Sequence, residues 1–117
     1  AQIIAIKAFD DYNILNNNVA NYKNNRDLLI NFFEDLGFVR YAPVDGAFYL
    51  YLDVSHVTDN SRDFALKLLM EAGVSITPGE DFDYNLGKKY VRISYGGSNK
   101  DIVEGTKRIS NWLKTKI

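Results

Sequence analysis

The sequence predicts an α+β domain: a small, mostly antiparallel sheet with helices packed on one face, preceded by a long N-terminal helical segment. Two patterns favour this fold class. Several segments carry apolar residues at three- to four-residue spacing, as amphipathic helices do, and short segments between them alternate apolar and polar residues, as half-buried strands do. With 117 residues, of which 46% are hydrophobic and 14% aromatic, the chain is long enough for one core. We therefore expect a single domain over residues 1–117.

Two helices are expected before the first strand. The first runs from Ala1 to about Tyr12, and the second carries an apolar stripe from about Leu15 to Leu36. Asparagine lowers helix propensity, so the asparagine-rich stretch from Asn13 to Asn25 is expected to mark the joint between the two helices. Gly37 then predicts a left-handed cap at the end of the second helix.

Four strands are predicted, two of them long enough to define the sheet. The longer strands cover residues 48–54 and 90–95, and shorter strands cover residues 38–41 and 74–77. Pro78-Gly79 predicts a turn directly after the strand over residues 74–77, with the glycine at a position that requires a positive φ.

Two further helices complete the prediction. Ser61 is expected to cap a helix that ends at Gly73, and Ser98 to cap a final helix with Asp101 at its third position. Gly96-Gly97-Ser98 lacks the glycine–lysine–hydroxyl spacing of a phosphate-binding loop, so a helix-capping turn is the favoured interpretation. The apolar residues that the final helix is expected to bury are Ile102, Val103, Ile109 and Leu113.

Composition excludes several classes of function. A formal net charge of −1 provides no electrostatic attraction for nucleic acid or an anionic membrane, and no apolar run reaches the length of about 18 residues that a transmembrane helix needs. The chain has no cysteine, which excludes disulfides and thiolate metal sites and is compatible with the cytoplasm, where we expect the protein. His56 is the only histidine, so we expect it to be exposed and no metal to be bound.

An arginine stands at the centre of the strand over residues 90–95. Alternation directs Val91, Ile93 and Tyr95 into the core and leaves Tyr90, Arg92 and Ser94 on the opposite face. Tyr49 and Tyr51 are expected on that same face. Such a face is too polar for a core and too aromatic for a free surface, so we expect it to border something else.

Arg92 is the candidate binding residue of the chain. A buried, unpaired charge is unstable, so a guanidinium on this face needs an anion or several acceptors. Guanidinium binds carboxylate through two parallel hydrogen bonds, which makes a strand-mounted arginine well suited to holding a small acid. Two other interpretations remain open from the pattern alone: the side chain reaches solvent, or it pairs structurally with Asp53 or Glu80.

The order of four motifs resembles that of the C-terminal small domain of class I/II aminotransferases, the fold-type-I pyridoxal-phosphate enzymes typified by aspartate aminotransferase. The resemblance covers nearly the whole chain, and the order and spacing of the motifs carry it. The motifs are Pro43-Val44-Asp45-Gly46-Ala47-Phe48-Tyr49, the segment from Gly73-Val74 to Thr77-Pro78-Gly79-Glu80-Asp81-Phe82, Tyr90-Val91-Arg92-Ile93-Ser94, and a closing helix with Glu104-Gly105 and Arg108.

The resemblance implies a role for Arg92 and a division of labour between two domains. In this family the arginine of the matching strand binds the α-carboxylate of the amino-acid substrate, while a lysine of the large domain holds pyridoxal phosphate. No lysine of this chain has the sequence context of that lysine, so catalytic and cofactor-binding residues are expected upstream of Ala1. The family often has glycine where Asp83 stands, which leaves the shape of that loop open.

The resemblance therefore implies the small domain of an enzyme that moves an amino group between an amino acid and a 2-oxo acid. The full-length enzyme would bind pyridoxal phosphate and form a homodimer, whereas this fragment alone would be inactive. Two alternatives remain: the small domain of another fold-type-I enzyme, such as a β-lyase or a cyclopropane-carboxylate synthase, or a non-enzymatic α+β interaction module.

Overall fold

A computed structural model describes residues 1–116, so the last residue of the predicted 1–117 domain lies outside the described part. The described chain forms four α-helices and three strands. They are α1 (Gln2–Ala8), α2 (Tyr12–Asp35), β1 (Tyr49–Asp53), α3 (Ser61–Ala72), β2 (Thr77–Pro78), β3 (Tyr90–Ser94) and α4 (Asn99–Lys114). Among residues 1–116, none of the helices combines the length and the apolar character needed to cross a membrane.

The sheet is antiparallel throughout, and its strand order is β1-β3-β2. Helices α2, α3 and α4 contribute to one core on one face of this sheet, which confirms the predicted fold class. The alternation of β1 and β3 decides which side chains face the helices. The core residues from the sheet and the three helices are Leu29, Phe33, Leu50, Leu52, Leu68, Val91, Ile93, Ile109, Trp112 and Leu113.

The joint between the first two helices lies earlier than predicted. α1 ends at Ala8, and α2 begins at Tyr12 and continues through the asparagine-rich stretch that was expected to separate them. All buried residues of α2 lie in its second half: Asn25, Leu29 and Phe33. Packing of that half stabilises the helix, and this outweighs the weak helix propensity of exposed asparagines.

The two short strands also differ from the prediction. Residues 38–41 form no regular strand, and their backbone pairs with β1 through an isolated bridge between Tyr41 and Leu52. Pro43 follows closely, and because it has no N–H it cannot extend a ladder. Of the strand predicted over 74–77, only Thr77 is in a strand, and β2 covers Thr77–Pro78. Val74 belongs to the C-terminal cap of α3, because its amide donates to the Leu68 carbonyl at 3.5 Å.

The predicted helix ends are confirmed with one correction. Gly37 and Gly73 take the expected left-handed conformation, with φ of 86° and 67°, and the Ser98 Oγ accepts from the Asp101 amide at 3.2 Å. Asn60, rather than Ser61, caps α3, because the Asn60 Oδ1 accepts from the Asp63 amide at 3.0 Å. Asparagine and serine both favour the N-cap position, so the sequence pattern did not distinguish Asn60 from Ser61.

α4 buries a different set of side chains from the predicted one. Ile109 and Leu113 are buried and Ile102 is half-buried, but Val103 is 47% exposed. Trp112, which was not among the residues predicted to be buried, lies in the core. Its Nε1 donates to the Glu71 Oε2 at 2.7 Å. A large ring with one polar atom suits this position at the edge of the core.

Asn25 connects α2 to the end of β3 and the start of α4. Its side chain is fully buried, and its Nδ2 donates to the carbonyls of Tyr95 and Gly97, each at 3.0 Å. The Asn99 Nδ2 donates to the Asn25 Oδ1 at 3.1 Å. A buried amide whose donors and acceptor are all engaged specifies one relative position of these elements.

We expect Asn25→Ala to lower the free energy of unfolding by about 2 to 3 kcal/mol, because the buried Tyr95 carbonyl and the part-buried Gly97 carbonyl lose their donor. Asn24→Ala is the matched control, since Asn24 is exposed on the same helix and alanine there should leave stability unchanged or slightly higher. Urea denaturation of both variants tests this, and equal effects of the two substitutions would contradict it.

Candidate functional site

Arg92 lies at the centre of the middle strand, on the face of the sheet away from the helices. It stands opposite Tyr51 of β1 and Thr77 of β2, and its side chain is half-buried. Val91, Ile93 and Tyr95 are buried, as the alternation predicted. Since β3 is hydrogen-bonded on both sides, the backbone that carries Arg92 is held firmly.

Two aromatic rings pack against the Arg92 guanidinium. Its Cζ lies 4.3 Å from the ring centroid of Tyr49 and 4.2 Å from that of Phe82, both within cation–π range. Tyr49 belongs to β1, on one side of β3, whereas Phe82 belongs to the loop that follows β2, the strand on the other side of β3. Both rings remain partly exposed, at 37% and 51%.

Neither carboxylate considered as a structural partner reaches Arg92. The Asp53 Oδ2 pairs with the Arg40 Nη2 at 3.1 Å, and the Glu80 Oε2 lies 3.6 Å from the Arg62 Nε. Within residues 1–116, none of the ion pairs involves Arg92. The pairing interpretation is therefore wrong for both acids.

Asp53, at the end of β1, is kept ionised by partners other than Arg92. Burial acts to raise the pKa of this carboxyl, but hydrogen bonds from Ser55 and the charge of Arg40 outweigh burial, so its pKa lies below the usual value. The Ser55 amide donates to the Asp53 Oδ1 at 2.8 Å. The negative charge of Asp53 is thus balanced without Arg92.

The loop that carries Phe82 is positioned by a contact between two glycine backbones. A Cβ on Gly79 would lie 2.6 Å from the Gly87 carbonyl oxygen, and a Cβ on Gly87 would lie 2.5 Å from the Gly79 backbone. Gly79 does not take the positive φ that the turn was predicted to need. Its lack of a side chain matters because of this close approach.

Two side chains stabilise the same loop through hydrogen bonds. The Ser61 Oγ of α3 donates to the Gly87 carbonyl at 2.9 Å, and the Asp83 Oδ1 accepts from the amides of Asn85 and Leu86 at 2.8 and 3.2 Å. The family often has glycine at the position of Asp83, but Asp83 takes an ordinary φ here and stabilises the turn through its carboxylate.

Tyr51 lies beneath this loop, beside Arg92. Its ring stacks on that of Tyr90 with centroids 5.0 Å apart, and its Oη is buried without a hydrogen-bond partner in the described chain. Burial, followed by the negative charge of Asp83, raises the pKa of Tyr51. The phenol is therefore protonated at neutral pH, and its hydroxyl can both donate and accept a hydrogen bond.

Sequence reasoning placed Tyr49, Tyr51 and Arg92 on one face but missed Phe82. Alternation reveals strand neighbours, whereas Phe82 reaches Arg92 from a loop whose path depends on tertiary contacts. The other flagged residue, His56, is exposed as predicted, and its ring packs against Phe38 with centroids 4.2 Å apart.

Comparison with known proteins identifies the family. Residues 1–109 match the family model for aminotransferase class I and II, so the chain belongs to this family. It is 44% identical over 118 aligned residues to valine–pyruvate aminotransferase of Mycobacterium tuberculosis, covering 99% of this chain and 30% of that protein. It is 30% identical to an aspartate aminotransferase of Sulfurisphaera tokodaii, covering 97% of this chain and 29% of that protein.

A solved structure supports the same family. The chain is similar to an aminotransferase from Mycobacterium tuberculosis with a TM-score of 0.83 and 47% sequence identity, over 86% of this chain and 26% of that one. The chain spans about 30% of the length of the curated relatives it matches.

The described residues do not by themselves fit pyridoxal phosphate. A lysine that reacts with the cofactor needs a lowered pKa, which burial or a neighbouring cation produces. All nine lysine side chains lie exposed on the surface of residues 1–116. Ser98, beside the glycine pair that superficially suggests a phosphate loop, is engaged as the cap of α4.

We expect Gly87→Ala to lower the free energy of unfolding by about 1 to 3 kcal/mol, because the new methyl group would meet backbone atoms that cannot move aside easily. Gly105→Ala is the matched control: its methyl would meet nothing within 4 Å, and inside α4 alanine should raise stability by up to about 1 kcal/mol. Urea denaturation distinguishes the two signs, and a neutral Gly87→Ala would show that the loop adjusts freely.

Proposed function

We propose that this chain is the substrate-carboxylate-binding small domain of an aminotransferase that moves an amino group between an amino acid and a 2-oxo acid. The observation that carries the proposal is the half-buried Arg92, which packs on two rings and has no carboxylate partner within residues 1–116. A partly desolvated cation of this kind favours an anion supplied from outside the domain.

Arg92 would bind the α-carboxylate of the amino acid and of the 2-oxo acid alike. Its planar guanidinium can donate two parallel hydrogen bonds to a carboxylate, which holds the ligand in one orientation as well as one place. Fixed orientation of the reacting carbon is a large part of what an enzyme contributes to such a reaction. Family membership supports this role, which the domain performs without any group of its own entering the chemistry.

The remainder of the enzyme would supply the reacting groups. Pyridoxal phosphate, bound by residues outside this chain, provides an electron sink for the amino-group transfer. A neighbouring large domain is supported by the exposed apolar side chains of α1 and the segment after it: Ile3, Ile4, Ile6 and Phe9 are between 68% and 79% exposed. We propose a homodimer for the full-length enzyme, in line with the family resemblance.

In the full-length enzyme, Arg92→Ala should lower kcat/KM by a factor of about 30 to several thousand, since truncating a desolvated charge contact costs on the order of 2 to 5 kcal/mol. Arg92→Lys should recover part of this loss, because the charge remains but the two parallel hydrogen bonds do not. Arg108→Ala, which removes a half-exposed arginine paired with Glu104 on α4, should change kcat/KM less than twofold. An unchanged kcat/KM for Arg92→Ala would show that Arg92 does not bind the substrate carboxylate.

The isolated chain is expected to be inactive. Incubated with pyridoxal phosphate and then reduced, it should be labelled at several surface lysines at low stoichiometry, because none of its lysines is buried. The full-length enzyme, as a positive control, should be labelled at one lysine outside residues 1–116. Stoichiometric labelling of a single lysine of the isolated chain, together with amino-group exchange, would refute the proposed division of labour.

A further inference from the structure

Arg92 is held by groups that leave its hydrogen-bond donors free. A carboxylate neighbour would also position the guanidinium, but it would occupy the same N–H groups that a ligand carboxylate needs. The faces of the Tyr49 and Phe82 rings attract the cation, at 4.3 and 4.2 Å, without accepting its in-plane donors. The arrangement therefore orders the side chain and preserves its binding capacity.

Order of this kind matters because arginine is a flexible side chain. A free arginine loses substantial rotamer entropy when it is fixed on a ligand, and restraint before binding reduces that loss. The two rings restrain Arg92 from two independent elements, since Tyr49 is anchored in β1 and Phe82 in the loop held by the Gly79–Gly87 contact.

We infer that Tyr49 and Phe82 are positioning residues for substrate binding, which hold the Arg92 guanidinium in the orientation that receives the substrate carboxylate. The inference rests on the proposed function and adds to it the two residues that prepare the arginine. They touch Arg92 rather than the reacting atoms, so they act on ligand binding and leave the chemical step unchanged.

The test uses the full-length enzyme with Tyr49→Leu and Phe82→Leu, which remove a ring, and with Tyr49→Phe and Phe82→Tyr, which keep it. Equilibrium binding of isovalerate, a carboxylate without an amino group, is compared with that of isobutylamine, an amine without a carboxylate. KM and kcat are measured with whichever of L-valine, L-alanine and L-aspartate the parent enzyme turns over fastest.

Each leucine variant should raise the Kd for isovalerate and the KM by about 2- to 30-fold, the range expected for one cation–π contact. The kcat and the Kd for isobutylamine should change less than twofold, and both aromatic variants should behave like the parent. The Tyr49 and Phe82 side chains are both partly exposed, so the leucine variants are expected to fold. If one leucine variant does not fold, the binding data of the other variant test the inference.

Three results would overturn the inference: leucine variants that lower kcat at unchanged KM, that weaken both probes equally, or that bind isovalerate like the parent. Arg92→Ala, measured in parallel, separates this failure from failure of the proposed function. If Arg92→Ala abolishes isovalerate binding and the leucine variants do not affect it, only the positioning role fails. If Arg92→Ala binds isovalerate normally, or the parent does not bind it, the carboxylate site and the positioning role both fail.

Discussion

The backbones of Gly79 and Gly87 approach each other more closely than any residue with a Cβ would permit. This contact closes the loop between β2 and β3 and brings Phe82 from a loop to the centre of the sheet. The Ser61 hydroxyl, buried under the same loop, donates to the Gly87 carbonyl and ties α3 to it. The geometry around Arg92 therefore depends on two residues that contribute no chemistry themselves.

The site combines a cation with neighbours that do not neutralise it. Asp53 and Glu80 are both within the same part of the fold, yet each interacts with another arginine, Arg40 and Arg62 respectively. The Asp53 carboxylate is buried and the Glu80 carboxylate is partly buried, and each has an arginine partner other than Arg92. The Arg92 guanidinium therefore keeps its hydrogen-bond donors free of protein carboxylates, which is what the proposed carboxylate site requires.

The two ends of the chain differ in how the fold supports them. The C-terminal half of α2 is tied to the β3–α4 turn by the buried side chain of Asn25. In contrast, every residue of α1 is exposed, including three isoleucines. A helix of seven residues has little stability of its own, so its place in a larger enzyme would come from apolar contacts outside the described chain.

Much of the fold could be predicted from the sequence, because it depends on periodicity. The alternation in β3 assigned Val91, Ile93 and Tyr95 to the core and Arg92 to the other face. The glycine caps at Gly37 and Gly73 followed from backbone sterics, and the motif order indicated the family. The role of Arg92 on its substrate stays a prediction.

The remaining features were decided by tertiary structure. Local propensity placed the helix joint in the asparagine-rich stretch, but packing of Leu29 and Phe33 carries α2 through it. Periodicity does not describe loops, so the contact of Phe82 with Arg92 had no signal in the sequence. Gly79 looked like a residue chosen for positive φ, and only the folded chain reveals the facing backbone of Gly87. Sequence by itself determined which strand residues alternate and where the two glycine-capped helices end, since those are local constraints on the backbone. Tertiary structure decided which groups meet across the site, because such contacts depend on how distant segments pack.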